Sequence, residues 1–204
     1  HAVTRGLNPN APLKPSGLDW LGDVPAHWEV TRVKALASRI SKGTTPTTIG
    51  ADFTSCGIRF LKAENITENG VKPEPEFHIS EEAHEALGRS ALAPNDVLVV
   101  IAGATTGKSA VLDADLLPAN TNQAVSFVRP TRPEFAGHIN RWLATDMVRR
   151  LIALSSVQSA QPNLSMEDLG NIPIPVPPFA ELGAIQAHLD AATAQFDALT
   201  AEVE

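Results

Sequence analysis

Residues 96–109 read DVLVVIAGATTGKS, and this stretch decides between two fold classes. Asp96 opens a run of five apolar residues, Val97–Ile101, which predicts a buried strand. The stretch ends in Gly107-Lys108-Ser109, as a nucleotide-binding phosphate loop does. A phosphate loop leads into a helix whose first amides bind the phosphates, whereas a hairpin turn leads into a second strand. The element that follows this run therefore distinguishes a nucleotide-binding α/β fold from an antiparallel sheet.

The spacing of the glycines argues against a phosphate loop. The motif places a glycine five positions before Gly107, but that residue is Ala102, and Gly103 comes one position late. Residues 110–115 (AVLDAD) then predict a strand and a turn instead of a helix. The sequence therefore predicts a polar hairpin, which either contacts nucleic acid or is an ordinary turn. The tip of this hairpin carries Thr105, Thr106 and Lys108.

Other apolar patterns extend the fold on both sides of this hairpin. Residues 58–61 and 124–128 predict further strands. Residues 29–40 have apolar side chains at spacings of three and four, so they predict a short helix, with a twisted strand as the alternative. The same spacing over residues 133–154 predicts one longer helix. Together they predict an α+β fold with a mixed, mostly antiparallel twisted sheet, flanking helices and one long C-terminal coiled-coil-type helix.

Capping and turn residues predict where several elements begin and end. Ser80 followed by two acids predicts the start of a short helix that stops at Gly88. Ser165-Met166-Glu167-Asp168 resembles a capping box and predicts a short turn of helix. The four prolines within residues 172–178 (IPIPVPP) require an extended chain, because each fixes φ and disfavours helix before it.

The C-terminal segment has the most regular apolar pattern in the sequence. Alternating steps of three and four make a heptad seam over three heptads, which predicts a long helix. Such a narrow seam packs either along its own domain or against a partner helix, and the absence of a following segment favours a partner. The seam consists of Leu182, Ile185, Leu189, Ala192, Phe196, Leu199 and Val203.

Composition restricts the classes of protein that fit. The chain has 204 residues, 43% of them hydrophobic and 19% charged, as folded domains do. The longest apolar run is too short to cross a membrane, no secretory signal opens the chain, and Cys56 is its single cysteine, so we expect a cytoplasmic protein. Residues 1–16 lack periodicity and predict a flexible tail. The formal net charge is −7, but residues 32–62 hold six basic residues against one acid.

Neither metal sites nor catalytic motifs are visible in the sequence. The histidines are scattered without the spacing of metal ligands, and the strand–turn–helix nucleophile motif of serine hydrolases is missing. We therefore predict no catalytic residue, no metal and no cofactor in this chain. Amides cluster instead in residues 120–123 (NTNQ) and 158–163 (QSAQPN), and such groups form either self-capping loops or contacts to adenine.

Several of these pieces, in their order along the chain, resemble one half of the specificity subunit of type I restriction-modification enzymes. The motifs are residues 20–28 (WLGDVPAHW), 42–46 (KGTTP), 96–98 (DVL) leading to Gly103 and Gly107-Lys108, 122–123 (NQ), 161–165 (QPNLS), 174–178 (IPVPP) and 185–190 (IQAHLD). The resemblance covers the chain from about Gly17 to its end. One departure lies at the start of the last helix, where Leu182 replaces the family's usual Gln after Glu181.

The resemblance implies a non-catalytic subunit that recognises a half-site of double-stranded DNA. Residues 17–177 would be the target recognition domain and residues 178–204 a spacer and dimerisation helix. The seam would pair with the helix of a second copy or of a second half-subunit. Methyltransferase subunits would bind directly and restriction subunits indirectly. The alternatives are a phosphate-loop-like nucleotide-binding enzyme, built on Gly107-Lys108-Ser109, and a coiled-coil docking scaffold without DNA.

The candidate DNA contacts combine lysines for phosphates with hydroxyls and amides for base edges. The candidates are Lys42, Thr44, Thr45, Lys62, Asn65, Thr105, Thr106, Lys108, Asn122, Gln123, Gln161 and Asn163.

Overall fold

The computed structural model describes residues 2–156 and 163–201, in which short strands alternate with helices and 3₁₀ turns. The strands are β1 (Leu13–Pro15), β2 (Asp23–Pro25), β3 (Glu29–Arg32), β4 (Ala37–Lys42), β5 (Ile58–Leu61), β6 (Ile66–Thr67), β7 (Gly70–Val71), β8 (His78–Ile79), β9 (Val97–Val100), β10 (Ser109–Val111), β11 (Ala119–Thr121), β12 (Val125–Pro130) and β13 (Pro173–Val176). The helices are α1 (Ala2–Arg5), α2 (Glu81–Ala86), α3 (Glu134–Leu143), α4 (Asp146–Ser156), α5 (Met166–Asn171) and α6 (Phe179–Ala201). This mixture of mostly antiparallel sheets, flanking helices and a long C-terminal helix confirms the predicted α+β class.

The described residues form two compact units. The terminal unit joins the described parts of His1–Thr31 and Pro173–Glu204, and the central unit is Arg32–Ile172. The sequence predicts a tail over residues 1–16, but α1 and β1 lie there, and β1 pairs antiparallel with β2. The functional boundaries at 17–177 and 178–204 stay predictions.

Glu181 holds the terminal unit together. Its Oε2 atom accepts a hydrogen bond from the indole Nε1 of the fully buried Trp28, at 3.1 Å, and lies 2.7 Å from Nε2 of His27. A Cβ atom at Gly6 would lie only 2.5 Å from the other carboxylate oxygen. The first turn of α6 is therefore fixed on the segment that contains His27 and Trp28.

Two sheets of three or more strands lie in the central unit, together with the two-stranded sheet β6-β7. In the four-stranded sheet, with the order β10-β9-β12-β4, every neighbouring pair is antiparallel. In the three-stranded sheet, with the order β11-β5-β8, β11 runs parallel to β5 and β8 antiparallel to it. β9 is buried along its whole length, as its apolar sequence predicts.

Apolar side chains of both sheets meet in two clusters. The larger one is built around Leu61, Leu98, Val100 and Phe127, all fully buried. The smaller one packs Phe60 of β5 against Ile79 and against α2. Because neighbouring residues of a strand face opposite sides, Phe60 and Leu61 enter different clusters, and β5 connects them.

A buried ion pair fixes the two central strands of the larger sheet. Asp96, fully buried just before β9, accepts hydrogen bonds from Nε and Nη2 of Arg129, at 2.9 and 2.8 Å. The backbone amide of Ala93 donates a third, at 2.8 Å. The guanidinium of Arg129 also lies 5.3 Å from the ring centroid of Phe127. Three donated hydrogen bonds therefore offset the free-energy cost of removing the Asp96 carboxylate from water.

Gly43 brings the two sheets into contact. Its amide donates to the Val125 carbonyl at 3.1 Å, and the amide of Thr44 donates to the Thr121 carbonyl at 3.0 Å. A Cβ atom at Gly43 would lie 1.9 Å from the Thr121 carbonyl oxygen and 2.5 Å from the amide nitrogen of Asn122. Only glycine fits this approach, because the obstacle is backbone and cannot rotate away.

The predicted helix over residues 29–40 is wrong, and its strand alternative holds on both sides of a 3₁₀ turn. β3 and β4 flank the turn Val33–Leu36. β4 pairs with β12, with Ser41 opposite Phe127, and β3 pairs with β13. These long-range backbone hydrogen bonds prevail over a local apolar spacing that fits either conformation.

The single helix predicted over residues 133–154 is two helices. α3 ends at Leu143 and α4 begins at Asp146. Between them, the Thr145 hydroxyl donates to the Trp142 carbonyl at 2.7 Å and accepts from the Val148 amide at 3.4 Å. The hydroxyl thus closes one helix and caps the next, which breaks the helix without disturbing its apolar spacing.

The predicted caps and the extended proline run are confirmed. Ser80 caps α2 by accepting from the Ala83 amide, and Ser165 caps α5 by accepting from the Asp168 amide, at 3.2 and 2.9 Å. The hydrogen bond from the Ser80 side chain also lowers the pKa of the exposed Glu82 carboxyl. The prolines before α6 lie in and after β13.

We predict that Arg129→Met lowers the free energy of unfolding by about 3 kcal/mol, because it leaves the buried Asp96 carboxylate with one donor. Urea denaturation measures this as a lower midpoint at an unchanged slope. Arg89→Met is the control, since Arg89 is exposed, and it should change stability by no more than about 0.5 kcal/mol. A loss below about 1 kcal/mol in Arg129→Met would contradict the role given to the pair.

We predict that Gly43→Ala destabilises the fold by about 2 kcal/mol, because its Cβ must displace the backbone at Thr121. The matched control is Gly88→Ala, since a Cβ atom there meets nothing within 4 Å and the backbone is not left-handed. Thermal unfolding of both variants measures the difference. Equal stability of the two variants would mean that the backbone at Thr121 can move away from residue 43 without loss of folding free energy.

Candidate nucleic-acid interface

One end of the larger sheet gathers four chain segments. β4 ends there at Lys42, β12 begins there at Val125, β9 ends there at Val100, and β10 begins there at Ser109. The antiparallel order brings these termini together although they are distant in sequence. The smaller sheet ends beside them, because Thr121 of β11 accepts the hydrogen bond from Thr44. We call this the polar end of the central unit, because the loops that leave it carry most of the predicted DNA contacts.

The loops after β4 and before β12 are joined by side chains as well as by backbone. The Thr45 hydroxyl donates to Oε1 of the exposed Gln123, and Oδ1 of Asn122 accepts from the Ala124 amide at 3.1 Å. Lys42 is exposed and Thr44 half-exposed. A Gln123 side chain fixed through its oxygen keeps its two Nε2 protons for an outside acceptor.

The segment before α5 reaches the same end. Asn163 forms an isolated antiparallel bridge with Ala102, and the Leu164 amide donates to the Ile101 carbonyl at 2.8 Å. Leu164 is buried, which ties the segment down, and Asn163 is exposed. Its amide therefore lies beside the loop that leaves β9.

The Gly103–Lys108 segment forms a hairpin turn between β9 and β10. The Gly107 amide donates to the Val100 carbonyl, and the Val100 amide donates to the Lys108 carbonyl, both at 2.8 Å. The next element is β10, so this loop lacks the helix start on which nucleotide phosphates bind in the phosphate-loop motif. Thr105, Thr106 and Lys108 are all half-exposed in this turn.

Lys62 follows β5, whose last residue Leu61 is in register with Thr121. It therefore lies at the same end of the molecule as the loops described above. Its ammonium lies over two aromatic rings, 3.3 Å from the centroid of Phe77 and 4.5 Å from that of Phe53.

One of the predicted DNA contacts, Asn65, does not join the polar end. Asn65 is fully buried, and its Nδ2 donates to the carbonyls of Lys72, Pro73 and Pro75, while its Oδ1 accepts from the Lys62 amide. Asn65 thus folds the following loop, and we do not retain it as a DNA contact. Gln161 lies outside the described residues.

The predicted helix seam divides along α6. Leu182 and Ile185 are buried, each 1% exposed, whereas Leu189 and Ala192 are half-exposed. The side chains of Phe196 and Leu199, and the whole of Val203, lie outside the described part. Among the described seam residues, those from Leu189 to Ala192 are therefore partly exposed.

Among the described basic residues are arginines that pair with acids of the fold and lysines at the polar end that do not. The hydrogen bonds to Asp96 raise the pKa of Arg129, so this guanidinium is engaged within the fold. Arg149 pairs with Glu68 at 3.1 Å. Lys42, Lys62 and Lys108 make no ion pair with the described carboxylates, so the polar end keeps three cations for phosphates.

Within the described ranges, no group of three or more His, Cys, Asp or Glu side chains is arranged to hold a metal ion. The helices of that part of the chain are also too short or too polar to cross a membrane.

Sequence reasoning missed two kinds of residue. Gly43 was visible only as part of a loop, because its close approach to Thr121 spans 78 positions. Phe53 and Phe77 were not linked to Lys62, although two aromatic residues near a basic strand end are a signal for nucleic-acid binding that was available.

Known proteins share this fold and these motifs. The family model of the type I restriction modification DNA specificity domain matches residues 25–203. The type I restriction enzyme EcoBI specificity subunit of Escherichia coli is 28% identical over 151 residues, which cover 72% of this chain and 31% of that protein.

Solved structures give the same picture of the fold. The chain superposes with a TM-score of 0.63 and 20% identity on the HsdS subunit of Thermoanaerobacter tengcongensis, covering 93% of this chain and 42% of that one. A chain from a study of complex assembly and conformational transition of the type I R-M system gives a TM-score of 0.64, also at 20% identity, over 95% of this chain and 42% of that one.

The chain thus spans about a third of the length of the curated relative and less than half of the solved chains. The family model covers most of the chain, including the loops of the polar end, β13 and α6. The chain therefore belongs to the family of type I restriction-modification DNA specificity domains.

Proposed function

We propose that the chain is a target recognition half of a specificity subunit and that its polar end binds a short half-site of double-stranded DNA. One observation carries this proposal: ten of the twelve candidate side chains, from five separate stretches of sequence, lie at a single end of the sheets. A polar surface assembled from distant segments needs a ligand that contacts several groups at once, and a DNA groove with its two phosphate backbones is such a ligand.

The residue types at this end suit separate parts of the duplex. Lys42 and Lys108 supply charge for phosphates. Gln123 and Asn163 present amides, which pair with adenine in the major groove. The hydrogen bond from Thr45 fixes the orientation of Gln123, so that this amide can discriminate between bases without first being ordered.

The charge of the whole chain limits the strength of this binding. A formal charge of −7 repels DNA at long range, and three lysines contribute only a few phosphate contacts. We therefore assign tight binding to the complex with methyltransferase subunits, with restriction subunits joining indirectly, in the cytoplasm where the DNA lies. Methyl transfer and cleavage belong to those partners.

Pairing of α6 completes the proposal. Leu189 and Ala192, the half-exposed residues of the seam, would pack against the helix of a second half-subunit or of a second copy of this chain. Antiparallel pairing of two helices would set the distance between two half-sites, at about 1.5 Å for each helical residue between the two domains.

The central test is selection from randomised duplex DNA, with and without the matching methyltransferase subunit. We predict that a short motif is enriched with the partner present. Absence of any motif, with the chain folded and the methyltransferase bound, would replace DNA recognition with a docking scaffold.

We predict that Gln123→Ala lowers affinity for the enriched site about 10-fold and relaxes the preference at one base pair, because one base-edge amide is lost. Gln195→Ala, an exposed change on α6, is the control and should leave the selected motif unchanged. A uniform loss across all base pairs in Gln123→Ala would indicate a phosphate contact instead.

We predict that Lys42→Met and Lys108→Met each reduce the slope of log K against log salt concentration by about 0.9, as loss of one phosphate contact does. Lys14→Met, which removes an exposed lysine of the terminal unit, is the matched control and should keep the slope. Titrations of the complex with a labelled duplex at several salt concentrations measure it. Identical slopes in all three variants would remove these lysines from the interface.

A further inference from the structure

Lys62 and the two aromatic rings beneath it form a cluster whose members come from three segments. Phe53 lies in the loop before β5, Lys62 directly follows β5, and Phe77 directly precedes β8. The cluster thus lies beside the polar end, because Leu61 is in register with Thr121.

The rings are held from the core side. The ring of Phe53 makes an edge contact with the buried Phe60, with centroids 5.2 Å apart and planes at 79°, and it lies 6.2 Å from the ring of Phe77. Phe77 packs against the smaller core cluster. Phe53 is nevertheless 39% exposed, so the cluster is rigid on one side and open to solvent on the other.

Within the described residues, no carboxylate forms an ion pair with the ammonium of Lys62. Its nearest acids in sequence, Glu64 and Glu68, form no ion pair with it in the described part of the chain. Aromatic faces attract a cation through their quadrupole and cannot neutralise it. A lysine otherwise loses rotamer freedom when it is fixed on a ligand, and rings that hold it beforehand reduce that loss.

We propose that Phe53 and Phe77 are positioning residues that hold the Lys62 ammonium for contact with one DNA phosphate. This inference rests on the proposed DNA recognition and deepens it. The rings need not touch DNA: they fix where the cation stands relative to Thr45 and Gln123, and so they couple phosphate contact to base contact.

The experiment is a double-mutant cycle on the whole chain in its complex with the methyltransferase subunit. Affinity for the enriched duplex is measured over a salt series for Lys62→Met, Phe77→Leu and the double variant. Leucine keeps the apolar contact with the core and removes the aromatic face. Phe77→Tyr keeps the face and tests for rescue.

We expect Lys62→Met to reduce the salt slope by about 0.9. We expect Phe77→Leu to weaken binding about three-fold in the parent chain and not at all in the Lys62→Met background, because the ring acts only through the ammonium. Phe77→Tyr should bind as the parent does. A partly unfolded Phe77→Leu variant would lose the same factor in both backgrounds, so the cycle separates folding from positioning.

Three results would overturn the inference while leaving DNA recognition intact: an unchanged salt slope in Lys62→Met, an equal loss from Phe77→Leu in both backgrounds, or a Phe77→Tyr variant as weak as Phe77→Leu. If the parent complex binds no duplex DNA at any salt concentration, the proposed function is overturned and this inference with it.

Discussion

The contact between Gly43 and the backbone of Thr121 is the constraint on which the polar end depends. At this point two sheets of different topology are close enough for the Thr44 amide to bond to the Thr121 carbonyl, at 3.0 Å. Any side chain at residue 43 would occupy the space of that carbonyl. Without this contact, the loop with Thr45 would separate from the loop with Gln123. The hydrogen bond that orients the Thr45 hydroxyl and the Gln123 side-chain amide would then be lost.

A protein with a net charge of −7 can present a cationic surface only by keeping its acids elsewhere. In the sequence, many of them lie in residues 74–85 and from Glu181 onward, outside the loops that follow β4 and β9 and the loop that precedes β12. Asp96, the acid buried near that sheet, is compensated by Arg129 and cannot weaken the lysines. Lys62 is held by rings and not by a carboxylate, which provides order without loss of charge. The proposed interface thus relies on few phosphate contacts instead of a broad basic face.

Local signals predicted the parts of the fold that local chemistry determines. The caps at Ser80 and Ser165, the buried strand β9 and the extended prolines all follow from interactions within a few residues. Residues 29–40 could not be predicted in this way, because pairing with β12 and β13 decides their conformation. The role of Asn65 could not be predicted locally either. Its sequence context suggests a polar loop, but its Nδ2 donates to three backbone carbonyls seven to ten residues away.

The candidate site was predictable as a set of residue types and not as a surface. Threonines, lysines and amides in turns are common in proteins that bind no nucleic acid, and only the antiparallel order of the four-stranded sheet brings Lys42, Val125, Val100 and Ser109 to one end. The phosphate-loop-like run shows the converse. Its sequence resembles a nucleotide-binding motif, but a strand follows it, so the glycines lie in a hairpin turn. Lys108 therefore lies at the polar end with the other two lysines. The element after the motif, and not the motif, decides which ligand chemistry is available.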